Sequence, residues 1–337
     1  MNITTELRYL SQSDIRLLGG DHSHAFMSAI EEGLRLHAKR QFVQPLKPYL
    51  RWPDAPHIAD RIIAMPCYLG GDNPIAGIKW IGSRQHNPTK HQLPRASAVI
   101  ILNDAETNYP VAILEASLIS AMRTAAITGI ATKYLAKENF KEVSIIGCGP
   151  IAQMQVQTLL EQYPQIMIVN LYDLNPAAAD MLISQFATRF PNVHFTIQAS
   201  AEAAVKCAEV LVTCTVSDAP YIPFSWLQPG CFVSNISIMD IEKDVFLKAD
   251  KVIVDDWDQS NREKKVINQL VEEGLFSREQ LHAELGDILT GEVGGRDNDD
   301  EIILLNPMGM AIDDIVCARW FYQAALAKDI GTRLPLF

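Results

Sequence analysis

Gly147, Gly149 and Ala152, in the run Val143-Ser-Ile-Ile-Gly-Cys-Gly-Pro-Ile-Ala152, have the spacing with which a strand turns into a helix around a pyrophosphate. The first glycine permits the tight turn, the second lets backbone amides approach the anion, and a small third residue lets the helix pack on the strand. Asp173 closes the next apolar run, Ile166 to Tyr172. A carboxylate there hydrogen-bonds the ribose hydroxyls of an adenosine and repels a 2′-phosphate. Leu174, Asn175 and Pro176 bring no arginine to neutralise such a phosphate, so the expected cofactor is NAD rather than NADP. The candidate cofactor contacts are Gly147, Gly149, Pro150, Ile151 and Asp173, with Thr213, Thr215 and Asn235 on the apolar runs that follow.

These residues need a scaffold, and the hydrophobic pattern supplies one. Past the turn, helix-like stretches at Ile151 to Glu161 and Pro176 to Phe190 alternate with strand-like runs at Ile166 to Tyr172, Phe195 to Ile197, Val210 to Thr215, Cys231 to Asn235 and Lys251 to Val254. Such alternation predicts an α/β fold with a Rossmann-type, doubly wound parallel sheet. The turn comes late, however, because Met1 to Glu142 precede it. In that segment Ser23 to Lys39 shows helical spacing, and short runs at Pro48 to Arg51, Arg61 to Met65, Ala76 to Ile81, Ser97 to Leu102 and Pro110 to Leu114 read as strands. Consecutive short strands without crossover helices predict a second, α+β domain with a mostly antiparallel sheet. Glu115 to Glu138 reads as a long helix bridging the two, Ile302 to Leu305 as a late strand, and Ala311 to Ala327 as a last helix.

The 337 residues are 48% apolar and 20% charged, which fits a globular enzyme of two domains. A net charge of −11 and a pI near 5.2 argue against nucleic acid or an anionic membrane as partner. The N-terminus has neither the basic nor the apolar segment of a signal peptide, no run is apolar enough to span a bilayer, and the cytoplasm is the expected compartment. Cys67, Cys148, Cys207, Cys214, Cys231 and Cys317 form no Cys-x-x-Cys pair and mostly sit in apolar runs, so neither a disulfide nor a metal is expected. The acidic stretch Arg296 to Glu301 reads as a solvated connection.

Five stretches, Gly77-Ile-Lys-Trp80, Ser120-Ala-Met-Arg-Thr-Ala-Ala126, Ile145 to Gly149, Asn235-Ile-Ser-Ile-Met-Asp240 and Met308-Gly-Met-Ala-Ile-Asp-Asp314, resemble the ornithine cyclodeaminase and mu-crystallin family across nearly the whole chain. The resemblance implies NAD(P)-dependent chemistry at the α-carbon of an amino acid. It also implies residues 1–120, with 311–337 returning, as a substrate-binding and dimerisation domain, residues 121–310 as an NAD-binding Rossmann domain, and a homodimer. Val43-Gln-Pro-Leu-Lys-Pro-Tyr-Leu-Arg51, His57 to Pro66 and Asn261-Arg-Glu-Lys-Lys265 are most similar to one branch of that family. Its members oxidise N-(1-amino-1-carboxy-2-ethyl)-glutamate with NAD and release 2-oxoglutarate and 2,3-diaminopropionate, a siderophore precursor. An ornithine or lysine cyclodeaminase, or a mu-crystallin-like ligand-binding protein, are the alternative readings.

The resemblance also assigns residues. Lys79 matches a lysine that holds the substrate carboxylate, Arg123 an arginine between substrate and cofactor phosphate, Asp240 an acid/base aspartate, and Met308 a position whose backbone meets the substrate. Lys47 stands where an arginine is usual, so Arg51 or Arg95 is expected to take that contact. The small-molecule substrate implied here bears three carboxylates and two amines, which calls for several cations within an acidic protein. Lys47, Arg51, Lys79, Arg95 and Arg123 are the candidates. Lys79 lies between Ile78 and Trp80, a setting costly for an unpaired charge. Asp240 also has a purely structural reading, as the cap of a helix over Ile241 to Leu247.

Overall fold

Alternation of apolar and polar residues shapes the first hundred residues of the computed structural model, which describes residues 6–53, 55, 57, 59–237, 239–262 and 265–336. Of the stretches read above, Met1 to Thr5, Ile58, Ile238, Glu263 and Lys264 lie outside the described residues. By its contacts the chain forms two compact units, residues 1–123 with 310–337 and residues 124–309.

In the first unit, β1 (Glu6–Leu10) runs into α1 (Gln12–Ile15), whose start is a capping box between Ser11 and Asp14. α2 (Ser23–Ala38) buries Phe26, Ile30 and Leu34, the residues whose spacing predicts it. β2 (Phe42–Val43), β3 (Tyr49–Leu50), β4 (Arg61–Leu69), β5 (Ile75–Ser83), β6 (Ala96–Asp104) and β7 (Pro110–Glu115) follow. β4 to β7 are the expected antiparallel meander, with the Asp104 carboxylate accepting the Glu106 and Thr107 amides in the last turn. β1 pairs with β7 in parallel, which the intervening chain makes possible. α3 (Ser117–Leu135) then carries the chain into the second unit.

There β8 (Glu142–Ile146), α4 (Pro150–Gln162), β9 (Ile168–Tyr172), α5 (Pro176–Phe186), β10 (His194–Ile197), α6 (Ala201–Lys206), β11 (Val210–Thr213) and β12 (Phe232–Asn235) alternate. α7 (Lys243–Lys248), β13 (Lys251–Val254), α8 (Trp257–Ser260), α9 (Val266–Glu272), β14 (Ala283–Glu284), α10 (Leu285–Thr290) and β15 (Ile303–Leu305) complete the unit. The strand order is β10-β9-β8-β11-β12-β15-β13-β14, and the pairings are parallel, as a doubly wound sheet requires. Chain direction across the sheet reverses between β8 and β11, the place where such sheets bind ligands. β15 inserts between β12 and β13, a position that suits its wholly apolar and buried Ile303, Leu304 and Leu305. α5 stops at Phe186 rather than Phe190, with residues 187–189 continuing as turns ahead of Pro191, which disfavours helix at Phe190.

The acidic stretch is anchored rather than freely solvated. Lys251 Nζ reaches Asp297 at 2.7 Å and Glu301 at 2.9 Å, while Arg296 donates to the carbonyls of Leu135, Gly230 and Glu301. α11 (Ala311–Lys328) and β16 (Thr332–Pro335) belong to the first unit again, β16 pairing antiparallel with β1. α11 packs on α2 and on β4, β5 and β6. Gly77 permits that approach, since a Cβ there would stand 2.9 Å from Ile315 Cδ1 and 2.7 Å from the Ile101 carbonyl oxygen. Among the described residues no helix is long and apolar enough to cross a membrane.

Candidate active site

The glycine turn lies at the carboxyl end of β8, beside the reversal in strand order. Gly147 has φ +86°, and a Cβ there would meet the Cys214 carbonyl carbon and the Thr215 amide nitrogen at 3.0 Å. Only glycine satisfies both demands. Gly149 is the N-cap of the 13-residue α4, in extended conformation, with nothing within 4 Å of where a Cβ would stand and no side chain capping the helix. Pro150 and Ile151 open α4, and Ala152 is fully buried against the sheet. The first amides of α4 therefore face open space with the positive end of the helix dipole behind them, which fits a pyrophosphate.

Asp173 is tied into the same turn, its carboxylate accepting the Cys148 amide at 2.7 Å and the Asn175 amide at 2.8 Å. Thr213 and Asn235, at the ends of β11 and β12, are buried and bonded to each other at 2.7 Å. Ser237 bonds Thr213 at 3.0 Å, and Asn306 accepts from the Asn235 amide at 2.7 Å. Their side chains thus tie the strand ends together.

Asp240 is fully buried in this second unit. The Thr215 hydroxyl donates to its carboxylate, the Thr215 amide approaches at 3.4 Å, and the Ser237 and Tyr221 hydroxyls also bond it. Burial pushes the carboxyl above its ordinary range despite these bonds. A carboxylate that takes a proton more readily is a better base near neutral pH. Asp240 is not a helix cap, because α7 starts at Lys243 with Glu242 as its N-cap. Met308 is set by Asp255, whose buried carboxylate accepts the Met308 amide at 2.9 Å and the Gly309 amide at 2.6 Å.

The first unit gathers the cations. Lys79 lies on the face of β5 that α11 covers, 1% exposed, with Nζ 2.6 Å from Asp314 and 3.2 Å from Ser120 Oγ. Arg123 Nε bonds the other Asp314 oxygen at 3.1 Å, and Arg123 Nη1 stands 3.7 Å from Asp313. Loss of hydration outweighs the attraction of Asp314 and pushes the Lys79 ammonium down to about 8. Lys47 is buried, and Arg51 lies over the Tyr49 ring at 4.9 Å. Arg61 lies over the same ring at 5.2 Å. Arg95 has no ion-pair partner among the described residues, and burial lowers the pKa of its guanidinium.

The structure thus brings Lys79 and Arg123 together, and Asp240 with Thr215. Arg95 is half-buried and partly desolvated, with no ion pair to the Lys79 cluster among the described residues. Sequence reasoning assigned no role to Asp313, Asp314, Ser120, Asp255 or Arg61. Two adjacent acids at the start of the otherwise apolar run Ala311 to Ala318 were the available signal, because buried acids require partners.

A parallel sheet with a glycine turn at its switch point and a paired acid on the next strand defines a dinucleotide-dependent protein. The ornithine cyclodeaminase/mu-crystallin family profile matches residues 12–329, and the chain belongs to that family. It is 57% identical over 333 residues, 98% of this chain and 99% of the other, to the N-((2S)-2-amino-2-carboxyethyl)-L-glutamate dehydrogenase of Staphylococcus aureus. Among solved structures it is similar to an archaeal alanine dehydrogenase dimer with bound NAD, with TM-score 0.88 and 33% identity, covering 99% of this chain and 100% of that one. It is also similar to the Thermococcus litoralis Delta(1)-pyrroline-2-carboxylate reductase in complex with NADH and L-proline, with TM-score 0.90 and 28% identity over 97% of this chain and 100% of that one.

Replacing Asp173 with Ala removes both the expected ribose acceptor and the barrier to a 2′-phosphate. Fluorescence titration should show NAD binding weakened about tenfold, a loss of roughly 1.4 kcal/mol, with NADP gaining relative to NAD. Unchanged NAD affinity and unchanged preference would remove Asp173 from the cofactor site.

Proposed function

We propose that this chain is an NAD-dependent dehydrogenase that oxidises N-((2S)-2-amino-2-carboxyethyl)-L-glutamate at the glutamate α-carbon. The products are 2-oxoglutarate and L-2,3-diaminopropionate, the latter a siderophore precursor. The observation that carries this reading is identity of 57% to the Staphylococcus aureus dehydrogenase along essentially the full length of both chains. This is the same compound as the tricarboxylate conjugate implied by the resemblance above.

NAD, when bound, would supply the oxidant, a hydride acceptor for the α-carbon. The Gly147 to Ile151 turn would hold its pyrophosphate and Asp173 its adenosine ribose. Lys79 and Arg123 hold a substrate carboxylate, with Lys47, Arg51 and Arg95 assigned to the remaining ones. The backbone at Met308, fixed by Asp255, positions the substrate. Asp240 takes the proton that leaves the secondary amine as the carbon–nitrogen double bond forms, and then orients the water that adds to that carbon. Cleavage of the carbon–nitrogen bond completes the hydrolysis, so one water and one NAD are consumed per turnover, with one proton released.

The active assembly in this reading is a homodimer. The face of the first unit's sheet turned away from α11 leaves Tyr68, Trp80 and Val99 about two-fifths exposed, at 40%, 43% and 40%. An apolar sheet face of this kind suits a second copy of the chain.

Incubation with NAD and the conjugate should give NADH, 2-oxoglutarate and 2,3-diaminopropionate in equal amounts by absorbance and mass detection. Ammonia release from ornithine without net NADH would overturn the reading in favour of a cyclodeaminase. Asp240→Asn should lower kcat by about 10²–10⁴-fold with NAD affinity retained. A kcat near that of the unaltered enzyme would refute its acid/base role.

A further inference from the structure

Lys79, on β5, and Arg123, on α3, are like charges in a nearly dry site, and each is held by the same carboxylate. Asp314 Oδ2 is 2.6 Å from Lys79 Nζ, and Asp314 Oδ1 is 3.1 Å from Arg123 Nε. The Asp314 side chain is fully buried, and its place in the first turn of the 18-residue α11 sets its charge against the positive end of that helix. Asp313 is otherwise engaged, its carboxylate capping α11 through the Met310 amide at 2.8 Å and standing 3.7 Å from Arg123. Among the described residues the Cys67 thiol on β4 and the Cys317 thiol on α11 also face the two aspartates, both pushed far up by burial and those aspartates, and therefore neutral.

We propose that Asp314 is the positioning residue of the substrate-carboxylate site: one oxygen orients Lys79, the other orients Arg123, and its negative charge keeps Lys79 an ammonium when the site is dry. The inference rests on the functional reading above, in which Lys79 and Arg123 receive a substrate carboxylate. It makes the two cations and two aspartates a net-neutral set, so the additional negative charge of a tricarboxylate falls to Lys47, Arg51 and Arg95. Asp314 itself does not touch the substrate in this account.

The sign of the pH dependence follows. An ammonium at Lys79 is present below about 8 and is lost as pH rises through that value. Substrate KM should therefore rise above pH 8 in the unaltered enzyme. Asp314→Asn removes the charge that favours the ammonium and should move this rise about one to three pH units lower. At pH 7.5 its kcat/KM should fall, by about threefold for a shift of one unit and by more than about tenfold for two or more, and KM should recover toward the unaltered value as pH falls to about 5, where the lysine is charged again. A merely structural defect would not recover with acid.

The test is the KM–pH profile of the unaltered enzyme, of Asp314→Asn, and of the double variant Lys79→Met with Asp314→Asn, which has no lysine to titrate and should show no such rise. An unshifted rise in Asp314→Asn, or a persisting one in the double variant, overturns the proposal. If the Asn variant fails to fold, Asp314→Glu serves, because it keeps the charge and should keep the profile while raising KM through displaced geometry. Failure of the functional reading shows separately, as absence of NADH from the conjugate with the unaltered enzyme. In that event nitrogen NMR of the Lys79 ammonium, which needs no substrate, decides the proposal: a downward shift of its titration in Asp314→Asn supports it and no shift overturns it.

Discussion

A buried cation must have a counter-charge, and the first unit is organised around meeting that requirement for Lys79 and Arg123. Removing one partner of a buried ion pair costs roughly 3–5 kcal/mol, because the survivor is left charged and dry. The arrangement therefore constrains three elements at once: β5 presents the lysine, α3 the arginine, and the first turn of α11 the two aspartates. The return of the C-terminal helix to the N-terminal unit has its chemical reason here. Gly77 keeps β5 bare enough for α11 to approach, two residues from Lys79.

The second unit solves a different problem, the binding of a diphosphate by an acidic chain. The uncapped start of α4 and the freedom of Gly147 and Gly149 would meet it, in the proposed reading, with backbone rather than side-chain charge. Asp173, itself negative, has its carboxylate occupied by the Cys148 and Asn175 amides, which would make it tolerable near a diphosphate in that reading. Asp240 has three hydroxyl partners around it, which hold a buried carboxylate in a usable charge state while burial makes it a stronger base.

How much of this the sequence disclosed depended on the range of each interaction. The glycine turn, Asp173 and the strand–helix alternation were legible because each is a local pattern a few residues long. The meander from β4 to β7 was legible for the same reason. Lys79 and Arg123 were singled out by family resemblance, Lys79 with the support of its apolar neighbours, but their partner Asp314 was not, since it lies 191 positions from Arg123. No local period joins such residues. β15 was legible as a strand over Ile302 to Leu305 but had no place in the sheet order, because its insertion between β12 and β13 is decided by which strand can be buried on both faces. Asp240 had been open to a capping role, and only the observed start of α7 at Lys243 removed it.

The central claim is that oxidation occurs at the glutamate α-carbon of a conjugate held by the first unit's cations. Its most direct measurement uses the conjugate carrying deuterium at that carbon, incubated with NAD and analysed by mass spectrometry. The account predicts that the deuterium appears in NADH, and that 2,3-diaminopropionate is released unlabelled. Deuterium lost to water, or retained in an amino-acid product while NADH stays unlabelled, would contradict it.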